Sequence, residues 1–109
     1  MNQPHLFNDD DQNVVDRYIV SHGGEGILTP HDVVQLNAAE RRVFEYLKSR
    51  DGQWTHPDEI CRVAGKPGHP AREGLRRMRA LRQLPDWDIE RTRGTGRVFF
   101  YRLVRRSVQ

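Results

Sequence analysis

Apolar residues recur first at Val14, Val15, Tyr18 and Ile19, an i, i+1, i+4, i+5 spacing that puts them on one helix face. Asp9, Asp10 and Asp11 stand in the first turn, where the positive end of a helix dipole favours acids. Gly23-Gly24-Glu25-Gly26 ends that helix. Thr29-Pro30-His31-Asp32 predicts a second start, with a threonine cap, proline at the first helical position, and Val33, Val34 and Leu36 behind it. Residues 1–8 carry no period and read as a loose tail.

Asn37-Ala38-Ala39-Glu40 repeats the start signal, and Val43, Phe44 and Leu47 form one stripe of a helix from Ala38 to about Arg50, which Asp51-Gly52 ends. Trp54 reads as a strand of one or two residues. Thr55-His56-Pro57-Asp58 opens the next helix, with Ile60 and Val63 inward and Gly65 closing it. Lys66-Pro67-Gly68 is not helical, because proline restricts the residue before it. Pro70 suits a first helical position, and that helix runs to about Arg82 or Leu84. Two alternating runs follow. Trp87, Ile89 and Arg91 share one strand face, as do Phe99, Tyr101 and Leu103, with Gly94-Thr95-Gly96 as the hairpin tip. Phe100 and Val98 then face outward.

The helix over residues 70–83 is the most informative. At about 100° per residue, Ala71, Leu75, Met78 and Leu81 fall in one sector, the expected core face. Arg72, Arg76, Arg79 and Gln83 stand at i, i+4, i+7 and i+11, a straight polar stripe with His69 and Lys66 at its N-terminal end. Arg82 projects near the apolar side, where its stem would snorkel. A solvated helix face would mix acids among the bases as i, i+4 partners, yet Glu73 is the one acid against five arginines. A polyanion would offset the repulsion. The planar guanidinium suits that task, donating two parallel bonds to guanine O6 and N7 or to a phosphate.

Charge along the chain sharpens this. Residues 1–37 hold one base and six acids, residues 38–65 five of each, and residues 66–109 twelve bases and four acids. A net charge of +3 therefore conceals a basic half suited to nucleic acid. No apolar run approaches the roughly 20 residues that span a bilayer, and the single Cys61 has no intramolecular partner, so a cytoplasmic protein is expected.

Residues 38–103 resemble a winged helix-turn-helix DNA-binding domain. "AAERRVFEYLKS" matches its first helix, "THPDEICRVAG" its second, "PAREGLRRMRALRQL" its recognition helix and "WDIERTRGTGRVFFYRL" its wing. The turn from Gly65 to His69 departs from the simplest members in being longer and richer in proline. The resemblance implies an α+β, mostly helical fold, with a three-helix core and a C-terminal β-hairpin wing over residues 38–109. An acidic arm of one or two short helices, residues 1–37, precedes it. It implies sequence-specific binding of double-stranded DNA by a bacterial or phage regulator of transcription or mobile-element DNA. The helix over 70–83 would enter the major groove with Lys66, His69, Arg72, Arg76, Arg79 and Gln83. The wing over 91–97 would lay Arg91, Arg93, Thr95 and Arg97 on phosphate or in a minor groove. Arg41, Arg42, Arg105 and Arg106 would add backbone contacts.

Two other classes fit the same residues: an interaction module for an acidic protein partner, and an accessory factor that bends DNA. Tyr18 on the arm and Phe100 on the wing are the candidate interface residues, through which a homodimer would form. Phe100 would pack on the arm, on a second subunit or on another partner. Little else points to chemistry. The five histidines lack metal-ligand spacing, and His31 and His56 sit in helix first turns, where capping is expected. Asp88 and Glu90 share a strand face, but pairing with arginines such as Arg102 across the hairpin outweighs a metal site. No phosphate loop or nucleophile elbow occurs. The expectation is a non-enzyme without cofactor, metal, membrane or small-molecule ligand.

Overall fold

The computed structural model describes residues 8–21, 28–65, 68–69 and 74–106. The chain divides into two compact units, Met1–Asn37 and Ala38–Gln109.

In the first unit, helix α1 spans Asp9–Ser21, and the Asn8 side chain caps it by accepting the Asp11 N–H at 2.8 Å. Val15 and Tyr18 are buried, whereas Ile19, expected on the same face, is exposed. Helix α2 spans Pro30–Gln35; Thr29 Oγ1 accepts the Asp32 N–H at 3.2 Å, the cap that Thr-Pro-x-Asp predicts. The buried Tyr18 phenol oxygen accepts the Leu28 N–H at 3.1 Å. That bond lies within the first unit, where Tyr18 is 7% exposed. The glycine stop at 23–26 lies outside the described residues.

The second unit is an α+β arrangement. Helices α3 (Ala38–Ser49), α4 (Pro57–Ala64) and α5 (Arg77–Leu81), the last entered through a 3₁₀ turn at Gly74–Arg76, are followed by strands β1 (Trp87–Arg93) and β2 (Phe99–Arg105). The strands pair antiparallel from Trp87 opposite Arg105 to Arg93 opposite Phe99. Val43, Phe44 and Leu47 from α3 meet Ile60, Met78, Leu81, Leu84, Trp87, Ile89 and Leu103, all buried. Each such side chain contributes about 1.5–3 kcal/mol when fully buried. Phe44 and Trp87 pack edge to face, centroids 5.3 Å apart.

His56 Nδ1 accepts the Asp58 N–H at 3.0 Å and so caps α4, with Pro57 at the first helical position. The short strand expected at Trp54 falls one residue later. Thr55 exchanges backbone hydrogen bonds with Tyr101 at 2.8 and 3.0 Å, which turns its side chain inward and leaves Trp54 outside under the Arg102 guanidinium. Arg50 holds this loop by donating to Thr55 Oγ1 and the Trp54 carbonyl.

The phase of the fifth helix differs from the even 100° wheel. Gly74, Met78 and Leu81 are buried, while Leu75, expected in the core, is 39% exposed. Gly74 lies against α4 so closely that a Cβ there would stand 2.5 Å from Cys61 Cα and 3.0 Å from its Sγ. Nothing larger than glycine can face α4 at this point, and the tighter 3₁₀ turn then swings Leu75 outward. Ala71 lies outside the described residues.

Tyr46 of α3 and Glu59 and Arg62 of α4 tie these helices on the outside. Tyr46 Oη donates to Glu59 Oε2 at 3.3 Å, and Arg62 Nε and Nη2 donate to the same oxygen at 3.2 and 2.5 Å. The Arg62 bonds and charge hold the Glu59 carboxyl below its ordinary value near 4.5. A depressed folded pKa means the stabilisation is present above the unfolded pKa and lost as pH falls through the folded one. The pair is fully exposed, so the effect is small.

Two outcomes follow from this packing. Gly74→Ala should cost roughly 1–3 kcal/mol in denaturant unfolding, because the obstructing atom is backbone. Glu59→Gln should be slightly less stable than the parent near neutral pH, with the two converging as pH drops below about 4. A gap that widens in acid would contradict the pairing.

Candidate nucleic-acid interface

The 3₁₀ turn, α5 and β1 enclose a groove of about 260 Å³ lined by Leu75, Arg76, Met78, Arg79, Arg82, Arg91 and Tyr101. Four guanidinium side chains converge on it, and among the described residues no carboxylate lines it. A second depression of the same size, between the end of α3 and the hairpin base, mixes Lys48 and Arg105 with Asp51. Of these two, by their described linings, the first has the one-sided charge that focuses a polyanion.

Local folding explains the convergence. With Gly74, Met78 and Leu81 inward, Arg76 and Arg79 fall on the exposed side. Arg82, read from the sequence as snorkelling on the apolar side, joins them because the chain leaves the helix after Leu81. Arg91 reaches the groove from β1, where it stands opposite the buried Tyr101. Neither Arg82 nor the meeting of Arg91 with the helix was legible in the periodicity of one element.

Beyond Tyr101 the same hairpin face passes from core to solvent. Phe99 is half-buried rather than in the core, with the Arg91 and Arg93 guanidinium carbons 4.6 and 5.7 Å from its centroid. Such stacking is worth about 0.5–1 kcal/mol at exposed sites and restrains both side chains. Thr95 and Arg97 are exposed at the tip. Gly96 takes φ 71°, open to glycine without strain, and Gly94 lies under the Phe100 ring with no room for a Cβ. His69 and Gln83 are exposed, while Lys66 and Arg72 lie outside the described residues.

The candidate backbone contacts divide into two kinds. Arg42 donates to the Val63, Ala64 and Gly65 carbonyls at 3.2, 2.8 and 3.5 Å, closing the C-terminus of α4. Arg106 donates to the Arg82, Leu84 and Trp87 carbonyls at 3.0, 3.4 and 2.8 Å and stands 3.7 Å from Asp88, closing the end of α5. The Val63, Ala64, Gly65 and Arg82 carbonyls are of the kind a helix end leaves without partners, whereas those of Leu84 and Trp87 belong to the turn and strand that follow α5. Arg41 is half-buried, and burial pushes its guanidinium pKa down while the Glu40 carboxylate opposes the shift. Arg105 lies over the Trp87 ring at 4.5 Å.

On the opposite hairpin face, Glu90 pairs with Arg102 (Oε1 to Nε, 2.7 Å), the cross-strand partner expected from the sequence. Phe100 meets His56 edge to face, centroids 5.6 Å apart, so its ring is engaged within its own unit. Among the described residues, no three His, Cys, Asp or Glu side chains gather as metal ligands, and no helix is long and apolar enough to cross a membrane. Set against protein-family models, curated proteins and solved structures, the chain matches none.

The division among the arginines can be read in thermal unfolding. Arg42→Ala and Arg106→Ala should each cost about 1–2 kcal/mol, since each removes charge-assisted bonds from partly exposed carbonyls. Arg79→Ala should stay within about 0.5 kcal/mol of the parent, as surface changes do. An Arg106→Ala protein that melts with the parent would contradict its closing role.

Proposed function

We propose that residues 38–106 form a winged-helix domain that binds double-stranded DNA, with the 3₁₀ turn and α5 in the major groove and the β1–β2 hairpin as the wing. One observation carries the reading: Arg76, Arg79, Arg82 and Arg91 surround a single groove that, among the described residues, no carboxylate lines. A helix fits the major groove of B-DNA, and on this reading the Arg76 and Arg79 guanidinium forks bond guanine O6 and N7. Arg91, Arg93 and Arg97 on the hairpin follow phosphate or enter an adjacent minor groove. Phe99 supports this by stiffening two of those arginines before any ligand arrives. The protein acts as a cytoplasmic, non-catalytic regulator of bacterial or phage DNA.

Neutralising six to ten phosphates should make affinity fall roughly a thousandfold or more between 50 and 200 mM salt in a gel-shift titration. Arg79→Ala should relax sequence preference, whereas Arg93→Ala should weaken binding to all duplexes alike. If random duplex is not retained below about 100 μM at low salt, where non-specific binding normally appears, the reading is overturned. The groove would then suit an acidic protein partner.

A further inference from the structure

We propose that Leu75 is a specificity-determining residue that reads the 5-methyl group of a thymine next to the bases contacted by Arg76 and Arg79. The inference rests on the DNA-binding reading above and names what that surface selects.

Leu75 is an apolar side chain in an unusual setting. It is 39% exposed and lines the groove together with Arg76, Arg79, Arg82 and Arg91. Gly74 holds the inward position of its turn, so Leu75 is turned away from the core by backbone geometry. The other apolar lining residues, Met78 and Tyr101, are buried to 4% and 9% exposure and offer little area to a ligand. Among the described lining residues Leu75 is thus the accessible hydrocarbon, held among cations.

A B-DNA major groove offers mostly hydrogen-bond donors and acceptors at its base edges. Its distinctive apolar group is the thymine C5 methyl. Arginine forks satisfy the polar edges and phosphates, but an isobutyl side chain gains nothing from them. On a surface that enters this groove, the thymine methyl is therefore the partner that matches Leu75. Leu75 directly precedes Arg76 and lies one turn before Arg79, so the thymine belongs within a base pair or two of their guanines, on either strand. The expected site thus combines guanine with a neighbouring thymine.

The test uses the full chain and duplexes selected from a random pool. Each thymine of the selected site is replaced singly by deoxyuridine, which keeps every hydrogen-bonding group and removes only the methyl. At one position the substitution should weaken binding about three- to fivefold, the value of one methyl group withdrawn from water. Leu75→Ala should bind the thymine duplex less tightly by a similar factor and should not distinguish thymine from uracil there. A selected site without thymine overturns the proposal. So does equal binding of every uracil duplex by the parent protein, or methyl dependence that persists in Leu75→Ala. The parent comparison needs no variant to fold. Failure to enrich any duplex would instead strike the DNA-binding reading itself.

Discussion

The contact between Gly74 and Cys61 governs the second unit. The backbone of the 3₁₀ turn lies against α4 with no space for a Cβ, so this crossing fixes the rotation of everything that follows. From it, Met78 and Leu81 reach the core beside Phe44 and Ile60, while Leu75, Arg76 and Arg79 face outward. A helix rotated by one residue would bury Leu75 and place an arginine against apolar side chains. The composition of the arginine groove is in this sense a packing result, set by the smallest residue in the segment.

The hairpin carries the second half of that groove through an abrupt change along one face. Trp87, Ile89 and Leu103 close the core, Tyr101 stands at the boundary, and Phe99 lies half-buried beneath two guanidinium groups. One alternating pattern serves both purposes, because the strands outrun the helices they pack on. The backbone exchange between Thr55 and Tyr101 pins β2 at that boundary.

Much of this was legible in the sequence. Caps at Thr29 and His56, the stripe of Val43, Phe44 and Leu47, and the alternation on both sides of Gly94-Thr95-Gly96 are local signals, written by single-element chemistry. The α+β order followed from them. What stayed hidden was non-local. An even helical wheel places Leu75 inward, and only the approach of α4 to Gly74 reverses this. Arg42 and Arg106 look like any surface cation until the carbonyls they close are 20 or so residues away in the chain. Arg82 and Arg91 belong to different elements, so no period within either one announces that they meet. Phe100 pointed away from the core face as its alternation requires, but its neighbour His56 comes from the start of α4.

That last contact has a mechanical meaning. His56 holds the first turn of α4 with Nδ1 and packs edge to face with Phe100, whose ring also covers the backbone of Gly94. The hairpin is therefore buttressed from behind by a helix cap, and its arginines project from a braced lever rather than a loose arm. On the DNA-binding reading proposed above, a limb already fixed in position surrenders little freedom when it meets the duplex, so the entropy of ordering it is met during folding and not at the encounter.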